Sequence, residues 1–311
     1  MFKYTPNVIY EKKNINIYMI ERLKVFAPAH ITGFFKIFDN KNPHFKGSRG
    51  AGIALDEGII TESYLKEGEG NVRISLNGNV TDLNTVSETA VKLILNKFSL
   101  DNSNVDIFID HFCRLPISAG FGTSAGFSEG VCYTLPKLFG IDVTFKQAGT
   151  LSHLTEISES TGLGDVVSSI NGGCVIRLKE GSPENAIIDK IQLTKPIYVF
   201  TKTLGLLETK EIIENPIHKK RINNSGHHLL EDLLKKPTVE NFIKLSRRFA
   251  DESQLITKEV QEILDIFDDE TLGSSMAMLG NTAFALSETP DPPIENCKIT
   301  KINNSGLKYI K

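Results

Sequence analysis

A glycine-rich stretch at residues 115–126 constrains the fold of this chain more than any other feature. An apolar, strand-like run at 105–109 precedes it, and apolar residues at helical spacing follow it from Phe127. The pattern predicts a strand, a tight loop and a helix that begins at the glycines. Such a loop lets an anion reach backbone N–H groups, and the helix dipole adds partial positive charge. An ordinary strand–helix turn is the alternative, since no Gly-Lys-Ser/Thr of the common P-loop follows.

Composition describes a globular protein with material for about two domains. The chain has 311 residues, of which 40% are hydrophobic and 23% charged, and its formal net charge of −3 argues against a dedicated nucleic-acid binder. No apolar run is long enough to cross a bilayer, so we expect no membrane partner. Without a Cys-x-x-Cys pair or a secretory signal, we expect a cytoplasmic protein with free, buried thiols at Cys113, Cys132, Cys174 and Cys297.

Changes in composition divide the chain into three parts. Residues 1–19 are polar and rich in Asn and Lys, which predicts an N-terminal extension, and Met19 is a candidate translation start. A first strand is expected at 20–26. A polar break at 179–185 precedes a predicted strand at 197–200. Helical segments are expected to follow, beginning at Lys210, Ser225, Val239 and Lys258. We therefore expect a first domain over 20–192 and a second over 193–311.

Three acid–base candidates lie in and after one predicted helix at 144–160. His153 and Glu156 are three residues apart and share a helix face. Asp165 follows a glycine turn, from which a carboxylate can be aimed at a ligand with little obstruction. The structural alternatives are a helix N-cap for Asp165, which is favoured for that residue alone, a solvated helix face for Glu156 and a satisfied buried imidazole for His153.

One arginine could bind a carboxylate through paired hydrogen bonds. Arg49 follows Ser48 in a second glycine-rich run at 47–52. The alternative is a glycine-rich turn with an exposed arginine.

Three motifs together resemble the GHMP family of small-molecule kinases. Residues 116–125 resemble its phosphate loop, Pro-x-x-x-Gly-x-Gly-Ser/Thr-Ser-Ala. Residues 27–30, Ala-Pro-Ala-His, resemble its first motif, and residues 273–286 its third. The third motif has fewer glycines than in most relatives and is expected only to line the cleft. The resemblance covers all but the first twenty or so residues.

Within the family, the chain is more similar to the archaeal members that phosphorylate pantoate in coenzyme A synthesis. The stretches that carry this similarity are 26–35, 47–52, 161–167 and 275–282. The resemblance implies an α+β fold with a first domain like ribosomal protein S5 domain 2, a ferredoxin-like second domain and an active site between them. It further implies ATP and Mg²⁺ as cofactors, pantoate as the small-molecule substrate and a homodimer.

The resemblance also implies a role for each site residue. Asp165 would be the catalytic base, and Ser124 and Glu156 would be ligands of Mg²⁺. Arg177, in a predicted strand at 174–178, would bind the substrate carboxylate, with His153 and Ser48 as hydrogen-bonding partners. Arg49 is a weaker candidate, and an exposed surface position is the alternative for both arginines. His30, which stands where many GHMP kinases have lysine, is also expected to bind substrate. The loop residues expected to bind the ATP phosphates are Pro116, Ser118, Ala119, Gly120, Phe121, Gly122, Thr123, Ser124 and Ala125.

Two alternatives stay open. The first keeps the chemistry and changes the acceptor to homoserine, shikimate or mevalonate. The second is a non-catalytic sensor with the same fold, which should have lost its base or its metal ligand. The presence of both Asp165 and Glu156 disfavours this second alternative.

Overall fold

The computed structural model describes residues 22–80, 85–205 and 216–311. The predicted extension at 1–19, the candidate start at Met19 and the predicted helix start at Lys210 lie outside these residues. The described part contains both helices and sheets, which confirms the predicted α+β class.

The larger sheet has eight strands in the described residues. Its central path runs β12-β1-β2-β5-β3-β4, β6 pairs with the first part of β2, and β7 pairs with β6. All neighbours are antiparallel except β3 and β5. The strands are β1 (Arg22–Phe38), β2 (Gly47–Glu67), β3 (Val72–Leu76), β4 (Asn79–Val80), β5 (Val105–Cys113), β6 (Cys174–Lys179), β7 (Ile187–Ile191) and, from the end of the chain, β12 (Lys308–Ile310).

Four helices belong to this first unit: α1 (Thr85–Lys97), α2 (Thr123–Leu138), α3 (Phe145–Glu159) and α4 (Asp165–Ser169). Alternating residues of β5, such as Ile107 and Ile109, pack with Ile94 of α1 and Leu135 of α2 in one apolar cluster. A short 3₁₀ segment, Pro43–Phe45, lies in the connection between β1 and β2. The strand, loop and helix predicted around the glycine-rich stretch are thus confirmed.

The second unit is a four-stranded antiparallel sheet in the order β11-β8-β10-β9, with helices packed on it. Its strands are β8 (Tyr198–Gly205), β9 (Gly273–Met276), β10 (Asn281–Ser287) and β11 (Lys298–Lys301). Its helices are α5 (Pro216–Ser225), α6 (Leu229–Lys235), α7 (Val239–Ser253) and α8 (Lys258–Glu270). Thr238 and Thr257 cap α7 and α8 by accepting hydrogen bonds from backbone N–H groups of the first turn.

The two units share a core. Phe34 and Phe35 of β1 meet Phe242 and Phe249 of α7 at ring-centroid distances of 6.4 and 5.6 Å. Because β12 also returns to pair with β1, the last residues of the chain belong to the first sheet, which the proposed boundary at 192/193 did not include. Among the described residues, every helix is too short or too polar to span a bilayer.

Two sequence predictions require correction. The first strand, expected at 20–26, continues to Phe38, because β-bulges after Pro28 and Thr32 let it bend without ending. A helix predicted to begin at Ser225 instead ends there. At the following residue, Gly226, a methyl group would lie 2.3 Å from the carbonyl oxygen of Phe35, so the chain turns where only glycine fits.

Candidate active site

The glycine-rich loop turns sharply into α2. Ser118, Gly120 and Gly122 all have positive φ values, of 59°, 87° and 60°, and Gly122 is the N-cap of α2 without a side-chain cap. A methyl group on Gly122 would lie 3.3 Å from Oδ1 of Asp165. The loop and the carboxylate some forty residues later therefore face each other, as the sequence predicted.

A cavity of about 480 Å³ opens at this point between the two units. Such a volume suits a small-molecule or nucleotide site. The lining comes from both units and includes three of the predicted substrate and catalytic residues, Asp165, Arg177 and Ser48. The other lining residues are Thr32, Phe35, Leu76, Thr85, Val86, Ile117, Ser118, Gly120, Phe121, Gly122, Thr123, Ser124, Phe127, Thr161, Gly162, Leu163, Gly164, Met278 and Leu279.

Asp165 does not cap a helix. The N-cap of α4 is Gly164, which makes no side-chain cap, whereas the Asp165 carboxylate accepts a hydrogen bond of 2.8 Å from Nδ1 of His30. The N-cap interpretation is therefore wrong. Asp165 keeps 24% of its side chain exposed and lines the cavity, whereas His30 is buried behind it.

The protonation states of this pair follow from their surroundings. Burial, the largest influence, lowers the pKa of His30 despite the nearby carboxylate. Burial opposes ionisation of Asp165 as well, but the hydrogen bond from His30 and the charge of Arg177 outweigh it, so the pKa of Asp165 lies below its ordinary value. At neutral pH a neutral imidazole thus donates its Nδ1–H to an ionised carboxylate.

Glu156 is buried rather than solvated. Its two carboxyl oxygens accept hydrogen bonds from Ser124 Oγ at 2.9 Å and Thr161 Oγ1 at 2.8 Å, and burial raises its pKa to about 8. A methyl group on Gly162 would lie 2.5 Å from Glu156 Oε2 and 3.2 Å from Asp165 Oδ2. This glycine therefore lets the two carboxyl groups approach from either side.

The donor set fits Mg²⁺. The Ser124 hydroxyl and the Glu156 carboxyl supply hard oxygen ligands, with a second carboxyl beyond Gly162. In the ranges that the structure covers, no group of three or more His, Cys, Asp or Glu side chains forms a complete cage for a metal ion. Magnesium commonly takes one or two protein carboxylates and completes its shell with phosphate oxygens and water, so the incomplete set suits that cation.

Arg177 is almost fully buried, so the surface-arginine interpretation is wrong for it. Its Nη1 donates to Ser168 Oγ at 2.8 Å, but its Nε has no partner among the described residues. A methyl group on Gly164 would meet Ser48 Oγ at 2.5 Å and this Nε at 2.8 Å, so Gly164 keeps both groups open. Burial lowers the pKa of Arg177 only to about 10, which leaves a charged, incompletely paired guanidinium at the cavity.

Three predicted substrate residues lie outside the cavity lining: His30, which is buried behind Asp165, Arg49 and His153. Arg49 donates from Nε to Glu180 Oε2 at 2.5 Å and stacks on Phe38, 4.3 Å from the ring centroid. His153 is buried, with Nε2 donating to the carbonyl oxygen of Pro43 at 3.1 Å, and its pKa is lowered to about 4, chiefly by burial. His153 thus matches the structural interpretation, a satisfied buried imidazole.

Three members of the predicted phosphate loop also do not line the cavity: Pro116, Ala119 and Ala125. The Ala119 carbonyl oxygen accepts a hydrogen bond of 2.8 Å from Thr282 Oγ1, which ties the loop to the second unit. The expectation that the third motif at 273–286 lines the cleft is met by Met278 and Leu279. Sequence reasoning did not identify which side chains of this motif enter the cavity, and it missed Phe35 as a lining residue.

Comparison with known proteins shows the family to which this chain is similar. Residues 84–173 match the model of the GHMP kinases N terminal domain, a range that contains the glycine-rich loop, Glu156 and Asp165. The pantoate kinase of Methanocaldococcus jannaschii is 36% identical over 266 residues, covering 85% of this chain and 92% of that protein. The pantoate kinase of Thermococcus kodakarensis is 33% identical, covering 85% of this chain and 87% of its own length.

One solved structure is similar over nearly the whole chain. It is described as a phosphotransferase related to the CoA biosynthesis pathway, and it superposes with a TM-score of 0.83 at 28% identity. The match covers 93% of this chain and 99% of the other.

Proposed function

This chain belongs to the GHMP kinase family, and we propose that it transfers the γ-phosphoryl group of ATP to the terminal hydroxyl of pantoate, forming 4-phosphopantoate for coenzyme A synthesis. The observation that carries the proposal is one cavity lined by Gly122, Asp165 and Arg177, with Nε of Arg177 left unpaired. An anion-binding loop, a base and a carboxylate receptor are what this reaction requires.

The loop would hold the phosphates of ATP. Positive φ values at Ser118, Gly120 and Gly122 turn the backbone tightly just before α2, whose N-terminus adds partial positive charge. Among the lining residues, Leu76, Val86 and Ile117 are apolar and would offer a surface for the nucleobase. Ser124 and Glu156 would hold Mg²⁺, which when bound neutralises charge on the β- and γ-phosphates.

Asp165 would receive the proton of the attacking alcohol. The C4 oxygen of pantoate attacks the γ-phosphorus, the bond from that phosphorus to the ADP oxygen breaks, and the hydroxyl proton passes to the Asp165 carboxylate and then to solvent. Because the pKa of Asp165 is below its ordinary value, its main contribution is to orient the hydroxyl and to accept the proton as the oxygen becomes acidic in the transition state.

Arg177 and Ser48 would bind the pantoate carboxylate. The unpaired Nε of Arg177 faces Gly164 beside the Ser48 hydroxyl, so both groups can donate to one carboxylate. The buried guanidinium gains most from such a partner, because an incompletely paired charge costs free energy away from water.

Turnover with defined acceptors tests the proposal. The purified chain is incubated with ATP, Mg²⁺ and pantoate, homoserine, shikimate or mevalonate, and both ADP and the phosphorylated product are measured. We expect pantoate to have the highest kcat/KM. No turnover of pantoate would refute the substrate assignment, and nucleotide binding without turnover of any acceptor would favour the sensor alternative.

Asp165→Asn tests the base. We expect kcat to fall on the order of 10²- to 10⁴-fold, with ATP affinity nearly unchanged. Asp142→Asn, at an exposed position outside the cavity lining, is the matched control. Unchanged kcat in Asp165→Asn would exclude Asp165 as the base.

We further propose that the protein acts as a homodimer, as the family resemblance implies, and that it works in the cytoplasm without nucleic-acid or membrane partners, as its composition indicates. Light scattering coupled to gel filtration measures its mass against the 34.5 kDa of one chain.

A further inference from the structure

The turn between β9 and β10 is attached to both halves of the site. The backbone N–H of Met278 donates to the carbonyl oxygen of Thr32 at 3.2 Å. A methyl group on Gly280 would lie 2.1 Å from the carbonyl carbon of Ala119, so the turn also packs tightly on the phosphate loop. The described contacts therefore fix the position of this turn from two directions.

Leu279 occupies an unusual backbone conformation in this turn. Its φ is +64°, in the left-handed region that a leucine rarely adopts. Such strain persists where the surrounding structure enforces it, often beside ligands. Glycine would fit this backbone without strain, so the leucine side chain, which lines the cavity, is retained at a conformational cost.

The turn contributes to an apolar side of the acceptor region. Phe35 and Arg177 are registered with the same residue, Gly50, from its two neighbouring strands. Both of these side chains line the cavity, Arg177 with its charge and Phe35 with an apolar ring. Phe35 and Met278 are each almost fully buried, and Leu279 is partly buried.

Met278 is attached to the strand that carries His30. Thr32, whose carbonyl oxygen accepts the Met278 N–H, lies two residues after His30 on β1, with no bulge between them. Its side chain therefore faces the same side as His30, which donates to Asp165. The cavity that contains Asp165 is lined by charge and hydroxyl groups at Arg177 and Ser48, and by apolar side chains from Phe35 and the turn.

The polar and apolar groups of pantoate match the polar and apolar residues of this lining. Its carboxylate is at C1 and its reacting hydroxyl at C4, and the carbon next to C4 carries two methyl groups. With the carboxylate at Arg177 and the C4 hydroxyl at Asp165, the methyl groups must meet the remaining walls. We propose that Phe35, Met278 and Leu279 form an apolar wall that recognises these two methyl groups and so selects this acceptor; the inference rests on the proposed function.

Substrate pairs that differ only in the methyl groups test the wall. For the wild type we expect kcat/KM with pantoate to exceed that with 2,4-dihydroxybutanoate by on the order of 10²-fold, since one methylene in an apolar pocket is worth about 10- to 200-fold. Met278→Ala should reduce this ratio about 10-fold. Leu279→Gly, which removes the side chain while suiting the backbone, should do the same and leave KM for ATP unchanged.

The control is Ile266→Ala, which removes an exposed apolar side chain from α8 outside the cavity lining and should leave the ratio unchanged. Equal losses of kcat/KM with both acceptors in Met278→Ala and Leu279→Gly would refute the proposed apolar wall. So would a rise in KM for ATP with an unchanged ratio, which would assign the turn to nucleotide binding. If the wild type phosphorylates neither acceptor, the proposed function itself is refuted. If it phosphorylates both equally well, only the proposed recognition of the methyl groups is refuted.

Discussion

The imidazole of His30 donates from Nδ1 to Oδ1 of Asp165 over 2.8 Å, while its Nε2 has no hydrogen-bond partner among the described residues. That nitrogen lies against Gly52, where a methyl group would approach it to 2.2 Å. Among the described residues, the His30 side chain therefore makes one hydrogen bond, and its partner is the proposed base. The imidazole acts on the reaction through Asp165, because it is buried and does not line the cavity.

Replacing His30 should change the pH dependence of the reaction. In His30→Ala the hydrogen bond that lowers the pKa of Asp165 is lost while burial remains, so this pKa should rise. We expect kcat to fall about 10- to 100-fold, the value of a hydrogen bond to a charged group, and the acid limb of the kcat profile to move to higher pH.

His30→Asn is the matched variant, because its amide can donate from nearly the same position. It should retain most of the activity and the wild-type acid limb. An unmoved acid limb in His30→Ala would show that the imidazole does not tune Asp165.

The two arginines that the sequence offered should differ in effect. Arg177→Gln removes the buried charge at the cavity, so we expect kcat/KM for pantoate to fall on the order of 10²-fold, mainly through KM. Arg49→Gln breaks the pair with Glu180 outside the cavity lining and should change KM for pantoate less than about 3-fold, since partly exposed ion pairs are weak. Steady-state kinetics on both variants decides between them, and a larger effect at Arg49 would contradict this geometry.

His153 should affect stability rather than substrate binding. Its pKa in the folded chain is about 4, below the ordinary 6.5, so the unfolded chain binds a proton first as the pH falls. The stabilising contribution of the neutral imidazole is complete above pH 6.5 and is lost as the pH falls toward 4. Through this residue, lowering the pH from 7 to 5 should reduce the free energy of unfolding by roughly 2 kcal/mol.

His153→Gln removes the titration and can keep a donor toward Pro43. Urea unfolding of both proteins at pH 7 and pH 5 should show a smaller difference for the variant, with KM for pantoate unchanged. A raised KM would restore His153 as a substrate residue.

Local pattern was sufficient for some parts of the site and insufficient for others. The glycines before α2 and the carboxylate of Asp165 follow from turn and helix chemistry and from the family motifs. His153 and Glu156 share a helix face by spacing, yet their side chains diverge, one to Pro43 and the other to Ser124. Spacing fixes a face but not which neighbouring element each side chain meets, since that depends on tertiary packing.

The apolar wall and the return of β12 were beyond the sequence for the same reason. Nothing in a small-residue turn specifies that Met278 will hydrogen bond to β1, more than two hundred residues earlier. A three-residue strand at the end of the chain likewise gives too little alternation to predict its pairing with β1.

Alanine variants of two glycines with similar positive φ values distinguish backbone strain from the loss of a phosphate contact. Gly122 and Gly140 have φ values of 60° and 68°, so alanine at either should lower the free energy of unfolding by about 1 kcal/mol. Gly140 faces open space, whereas Gly122 begins α2 opposite Asp165. We therefore expect Gly122→Ala alone to raise KM for ATP, on the order of 10-fold or more, because a methyl group would keep the phosphates from the backbone N–H groups. Denaturant unfolding measures the shared loss of stability and initial rates measure the difference; equal kinetic effects in both variants would mean that backbone strain, not the phosphate contact, explains the glycine at 122.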